Sequence, residues 1–140
     1  MRNALVFAVL SFAVAPAAAR ADWAYAAFDV AGGAILCALS SDGAQGWVRC
    51  DVYQGNLSPF DRPEDCDSDF GRFFTVRETG PGFPSCESDM AYDPAEATPL
   101  TPGAVLEIEP FLCRAEGQGV TCTNPSGGGF TVTTDGQTVF

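Results

Sequence analysis

Ile35-Leu36-Cys37-Ala38-Leu39 and, after a polar turn, Trp47-Val48-Arg49-Cys50-Asp51-Val52 form the stretch on which the fold is decided. Side chains along a β-strand alternate between two faces, so Ile35, Cys37 and Leu39 share one face. Val48, Cys50 and Val52 do the same on the return arm. Setting Cys37 opposite Cys50 aligns Ile35 with Val52 and Leu39 with Val48. A slip of one residue would turn every one of these side chains to the wrong face, so the cysteines and the apolar pattern name the same register. Trp47, Arg49, Asp51 and Tyr53 then take the opposite face. The spacing predicts a β-hairpin with Ser40 to Gly46 as its turn and a disulfide between its arms.

The pattern recurs near the end of the chain. Phe111-Leu112-Cys113 is followed by a Gly-containing turn and Gly119-Val120-Thr121-Cys122-Thr123-Asn124. Cys113 opposite Cys122 places Phe111 across from Asn124 and Ala115 across from Val120, with Gly117-Gln118 at the turn centre. Facing cysteines on neighbouring strands have Cα atoms about 4.5 to 5.5 Å apart, within disulfide range. Six cysteines allow 15 pairings. The two registers favour Cys37–Cys50 and Cys113–Cys122, which leaves Cys66 and Cys86 to pair by exclusion.

Between and around these hairpins the pattern is less regular. Asp22 to Phe28 is an aromatic lead-in whose Trp23, Tyr25 and Phe28 are placed to cover an edge of the core, and Gly32-Gly33 breaks it. Gln54 to Asp69 is loop-like, and Phe70 to Val76 is strand-like. Asp89 to Pro102, with its three prolines, reads as an extended surface connection with at most one helical turn at Ala95 to Ala97. Leu106 and Ile108 alternate with Glu107 and Glu109. A last hairpin, Gly129 to Thr134 and Gln137 to Phe140, turns at Asp135-Gly136. The expected fold is all-β: a small antiparallel β-sandwich or barrel of six to eight short strands, built from disulfide-linked hairpins with long loops.

The N-terminus reads as an export signal. Arg2 precedes the apolar run Ala4 to Ala15, and Ala19-Arg20-Ala21 fits a cleavage site. The run is shorter than the roughly 20 residues needed to cross a bilayer, and no later stretch is a transmembrane candidate. The expected organisation is a signal peptide over residues 1–21 and a single disulfide-stabilised β domain over 22–140, exported to the periplasm or the extracellular medium. Disulfides persist in such oxidising compartments. Beyond residue 21, 18 acidic side chains face five arginines, with no lysine or histidine, a formal charge of -13. Phosphate contacts depend on Lys and Arg, so nucleic acid is excluded as a partner. A basic protein or a glycan is the expected class instead.

The segments Gly33-Ala34-Ile35-Leu36-Cys37, Val48-Arg49-Cys50-Asp51, Cys66…Asp69-Phe70-Gly71, Cys86…Asp89 and Gly119-Val120-Thr121-Cys122-Thr123-Asn124…Gly127-Gly128-Gly129-Phe130 resemble a family of exported six-cysteine bacterial domains of unknown function. That family often carries Ser-Pro-Ser-Gly-Asn before its first Ile-x-Cys, where this chain has Ala31, Gly32 and Ala34 in place of the Pro, Ser and Asn. It also often carries Gly-His-Gly-Phe near its end, where this chain has Gly128. The resemblance implies secretion, paired cysteines and one compact domain, and brings no activity with it.

With no histidine or lysine beyond the signal, Ser-His-Asp and Cys-His catalysis, histidine metal triads and Schiff-base chemistry are excluded. A carboxylate-dependent glycan-active enzyme needs only two suitably spaced acids. Glu107 and Glu109 are the same-face pair, but their alternation with Leu106 and Ile108 marks the wet side of a strand, and the preferred reading is a recognition or structural module, not an enzyme. Asp65, Asp67 and Asp69, with Asp61 and Glu64 nearby, are the candidate ligands for Ca²⁺, which takes six to eight oxygens, though their spacing lacks the EF-hand order. No other cofactor is implied. Trp47 and Tyr53 are the candidate binding surface, where a ring could stack on a sugar or anchor a protein. The same rings would serve equally as a second buried layer.

Overall fold

The computed structural model describes residues 22–90 and 92–140, so the expected signal peptide lies outside the described residues. These residues form two sheets. The first has six strands in the order β5-β4-β3-β2-β1-β6, and the second has five in the order β11-β10-β9-β8-β7. In chain order β1 is Ala24–Val30, β2 Ile35–Ser41, β3 Gly46–Val52, β4 Asp69–Arg77, β5 Phe83–Glu87 and β6 Thr98–Pro99. They are followed by β7 Val105–Ile108, β8 Phe111–Glu116, β9 Gly119–Thr123, β10 Gly129–Thr133 and β11 Gln137–Val139. All neighbours are antiparallel except β6, which runs parallel to β1 for two residue pairs.

The central hairpin has the register its cysteines require. Ile35 faces Val52, Cys37 faces Cys50 and Leu39 faces Val48, and all six side chains are buried. In the second sheet Cys113 faces Cys122 and Ala115 faces Val120. The expected facing of Phe111 and Asn124 is not part of that ladder, because β9 ends at Thr123 and Asn124 turns to other work. Cys37–Cys50, Cys66–Cys86 and Cys113–Cys122 are the disulfides.

The inner faces of the two sheets meet in one core. Phe28, Ile35, Leu39, Val48, Phe74 and Val76 of the first sheet cluster with Phe111, Val120, Phe130 and Val132 of the second. Phe60, from the long loop before β4, closes one margin by setting its ring edge-on to Phe74 at 5.6 Å. Two buried amides tie loops to this frame. Asn124 donates to the Arg77 and Gly80 carbonyls and accepts from Ser126 and Gly128. Gln137 donates to the Asn56 and Thr133 carbonyls and accepts from the Ser58 N–H.

The strand count exceeds expectation for identifiable reasons. The aromatic lead-in is a full strand, β1, pairing with β2 along seven residues, and only Phe28 of its aromatics is buried while Trp23 and Tyr25 are exposed. Strand β5 carries Pro84, which argues against a central strand but is tolerated here at the sheet edge. Between β1 and β2 the backbone turns through three left-handed residues, Ala31, Gly32 and Gly33, with φ of 53°, 67° and 86°. Proline is fixed near -65°, so the proline common in similar chains has no place at residue 31 in this turn.

The segment after β5, described at residues 88–90 and 92–97, is more than a surface connection. It leaves β5 at one edge of the first sheet and must reach β6 beyond β1, so it crosses the outer face as a strap. Tyr92 of the strap is buried against Ala27 and Ala38, a cross-strand pair whose small side chains make room for the ring. Asp93 caps a single 3-10 turn at Pro94–Glu96, one residue earlier than expected, by accepting from the Ala95 N–H.

Two effects compete in ranking the disulfides. Cys66–Cys86 closes the longer loop, a separation of 20 against 13 for Cys37–Cys50, which in the chain-entropy account is a difference of about 0.4 kcal/mol. Cys37 and Cys50 are both fully buried, whereas Cys86 is exposed, and opening a core cavity costs about 1 kcal/mol or more. Burial wins. Replacing Cys37 and Cys50 by Ala should therefore lower unfolding free energy more than replacing Cys66 and Cys86, each loss falling in the range of about 2 to 5 kcal/mol. Urea denaturation of the two double variants measures both.

Candidate functional site

The outer face of the first sheet carries the polar chemistry. Arg49 and Asp51 lie two residues apart on β3, on the side away from the core, and so on one face. The strap makes this face an interior: Arg49 is 7 % exposed and Asp51 1 %. The guanidinium grips the carboxylate in a fork, Nε to Oδ1 at 2.6 Å and Nη2 to Oδ2 at 2.9 Å. Nη2 also donates to the Asp89 carbonyl of the strap at 2.6 Å, and Nη1 lies 3.3 Å from Glu87 Oε2. The Phe73 ring sits under the guanidinium at 4.8 Å, a cation–π contact. All three nitrogens of the Arg49 guanidinium thus have an oxygen partner, as a buried charge requires.

Burial pushes the Asp51 carboxyl up from its ordinary value, against the hydrogen bonds and charge of Arg49, which pull it down. The Tyr92 hydroxyl is buried with no hydrogen-bond partner among the described residues. Burial first, then the charge of Asp51, push that phenol far upward. Tyr53 is 41 % exposed at the margin, its phenol raised by partial burial and by Asp51. A charged pair and the Tyr92 phenol thus share one covered region next to the strap, with Tyr53 at its open margin.

Beside the strap the face opens into a hollow of about 220 Å³, lined by Trp47, Arg49, Thr75, Arg77 and Glu87. Strand pairing builds it. Trp47 faces Arg77 and Arg49 faces Thr75 across β3 and β4, and Glu87 comes from β5. Trp47 packs against the Ala27–Ala38–Tyr92 cluster and is half-buried, so the indole is held in place while still lining the hollow. Thr75 shares a 3.0 Å hydrogen bond with Ser85, which fixes the hydroxyl at the buried floor. The Arg77 carbonyl is held by Asn124, while its side chain is exposed. A larger cleft of about 630 Å³ lies between the left-handed turn and the proline-rich end of the strap. It has more room, but Asp29 and Thr101 are its only side chains with polar groups. Ligand sites pair concavity with convergent polar groups, and the hollow has both.

The structure separates the other candidates from this site. Asp65, Asp67 and Asp69 are exposed, Asp69 sits 3.3 Å from Arg72, and no group of three or more acidic side chains is gathered around a cation position among the described residues. Glu107 and Glu109 are exposed while Leu106 and Ile108 pack on the core. Arg49, Asp51 and Tyr92, with Thr75, Arg77 and Glu87 of the hollow, are the residues sequence reasoning missed. An Arg and an Asp at i and i+2 on one strand face is the signal that could have paired the first two; nothing in the sequence announces the strap that buries them. At Gly128, a Cβ would collide with the Gly80 carbonyl oxygen, so the histidine common there in similar chains has no space beside the Gly80-Pro81 loop.

These features define a disulfide-bonded β-sandwich with a polar hollow on one outer face. Residues 5–140 match the family of unknown function DUF6636, and the chain belongs to that family. No curated protein and no solved structure matches the chain.

Breaking the Arg49–Asp51 fork from one side leaves a carboxylate buried beneath the strap. Arg49→Met should cost about 3 to 5 kcal/mol, while Arg49→Met with Asp51→Leu should recover most of the loss. The sign of the pH dependence follows from Asp51. Its folded value is already raised and rises further without Arg49, so the folded state keeps its advantage in acid and loses it as pH rises through that value. The Arg49→Met deficit should be smaller at pH 5 than at pH 8, and the double variant should not show that difference. Urea titrations at the two pH values measure all three proteins.

Proposed function

We propose that this chain is an exported recognition module that binds its ligand in the Trp47–Arg77 hollow. Export rests on the signal-like residues 1–21 and on three disulfides, which suit the periplasm or the extracellular medium. Among the described residues no helix is long and apolar enough to cross a membrane. The observation that carries the reading is the hollow itself: an indole, two guanidiniums, a carboxylate and a hydroxyl converge on it. Aromatic walls with a few fixed polar groups serve recognition. Such a set suits binding more than turnover, because Glu87 is the one carboxylate lining the hollow and is paired with Arg49, while Thr75 is committed to Ser85.

A second reading has its own observation. Asp61, Glu64, Asp65, Asp67 and Asp69 are all exposed on one loop of a strongly acidic domain, a surface that would steer a basic protein at low salt. That attraction fades as the Debye length falls from about 10 Å at 0.1 M salt to about 3 Å at 1 M. Ca²⁺ at Asp65, Asp67 and Asp69 is a third possibility that the same protein can test.

Retention of envelope or culture-fluid material on the immobilised oxidised protein distinguishes the readings. The expected result is retention at both salt concentrations that is lost with Trp47→Ala and kept with Glu107→Ala. Retention only at low salt, unaffected by Trp47→Ala, would move the function to the acidic loop. Millimolar Ca²⁺ should leave the melting temperature unchanged; a rise abolished by replacing Asp65 and Asp67 with Asn would establish a cation site there.

A further inference from the structure

Resting on the hollow as the binding site, we infer that its ligand is an uncharged sugar ring with adjacent free hydroxyls. Size comes first. About 220 Å³ lies below the 300 to 1,000 Å³ of pockets for drug-sized molecules, so the hollow takes one ring and not an extended chain or a folded epitope. Charge comes second. Within the hollow Arg49 and Arg77 stand against Glu87, with Asp51 paired to Arg49, so the four formal charges cancel. An anion would approach through the field of a domain with 18 acidic groups, and a cation would meet the exposed Arg77 at the hollow. A neutral ligand avoids both penalties.

Hydrogen-bonding capacity comes third. The hollow presents a donor-only guanidinium at Arg77, an acceptor-only carboxylate at Glu87 and a hydroxyl at Thr75. A pair of adjacent hydroxyls is donor and acceptor at once, and can accept from a planar guanidinium while donating to a carboxylate. Arg49 engages Glu87 through Oε2, which aims and steadies that carboxylate rather than neutralising both of its oxygens. Trp47 adds a flat apolar wall against which the C–H face of a sugar ring can lie. A hydrocarbon ligand would leave Arg77 and the second oxygen of Glu87 without partners on desolvation, so the same groups that accept a sugar reject it.

The test uses the oxidised protein carrying Trp23→Phe, which leaves Trp47 as its one tryptophan and its emission as the reporter. Methyl glycosides of glucose, galactose, mannose and N-acetylglucosamine are titrated beside glucuronate, glucosamine and an arginine-rich peptide. At least one neutral glycoside should bind with a dissociation constant on the order of 1 mM, the strength of one stack and a few hydrogen bonds. The constant should change less than about twofold between 0.1 and 1 M salt. Arg77→Ala and Glu87→Gln should each weaken binding about tenfold or more, with the melting temperature reporting that the variants remain folded. Arg77→Lys should restore less than Arg77 itself, because an ammonium lacks the planar fork. Preferential binding of glucuronate, glucosamine or the peptide, with the same loss in Arg77→Ala, would overturn the uncharged-sugar class and leave the hollow as the site. No emission change with any probe, or binding indifferent to Arg77 and Glu87, would overturn the site as well.

Discussion

The structure depends on a constraint of register. In each sheet a cysteine faces a cysteine across two antiparallel strands, and every apolar neighbour at even spacing is thereby committed to the same face. Ile35, Leu39, Val48 and Val52 cannot leave the core without pulling Cys37 and Cys50 apart. The same holds for Ala115 and Val120 around Cys113–Cys122. Because side-chain direction has a period of two, fixing the inner face also fixes the outer one. Trp47, Arg49 and Asp51 are on the outer face of β3 for that reason alone. The candidate site is thus a geometric consequence of the disulfide-locked core.

What the register does not decide is whether the outer face meets water. That depends on the strap, which is anchored to the sheet by two contacts, the Asp89 carbonyl on Arg49 and the Tyr92 ring on Ala27 and Ala38, and is shaped internally by the Asp93 cap. Covering half of the face leaves Arg49 and Asp51 in a setting where charge is costly unless paired. It leaves the other half, from Trp47 to Glu87, as an open hollow with one rigid wall. Pre-organisation follows, since the indole, the Arg49 fork and the Thr75–Ser85 pair are held before a ligand arrives.

The inner layer was legible in the sequence because its signal is local. Alternating Ile35, Cys37 and Leu39 need only one neighbouring strand to be read, and Asp135-Gly136 names its own turn. Strands β1 and β5 were not legible, since Gly32-Gly33 and Pro84 argue locally against strands that their neighbours then recruit. For the outer layer, Trp47 was visible as a ring opposite the core. Arg49 and Asp51 read only as the face opposite the core, because the segment that buries them lies some forty residues downstream and is short and irregular, with Asp89, Asp93 and Pro94. Long-range cover of this kind carries no periodicity of its own.

The account's central claim is that recognition takes place on the outer face of the six-stranded sheet, in the hollow between the strap and β5. Backbone and indole N–H chemical shifts of the oxidised protein, followed during titration with neutral methyl glycosides, test it most directly. The account predicts concerted shifts at Trp47, Thr75, Arg77 and Glu87, with β7 to β11 unmoved. Shifts gathered instead on the acidic loop from Asp61 to Asp69, or on the five-stranded sheet, would contradict it.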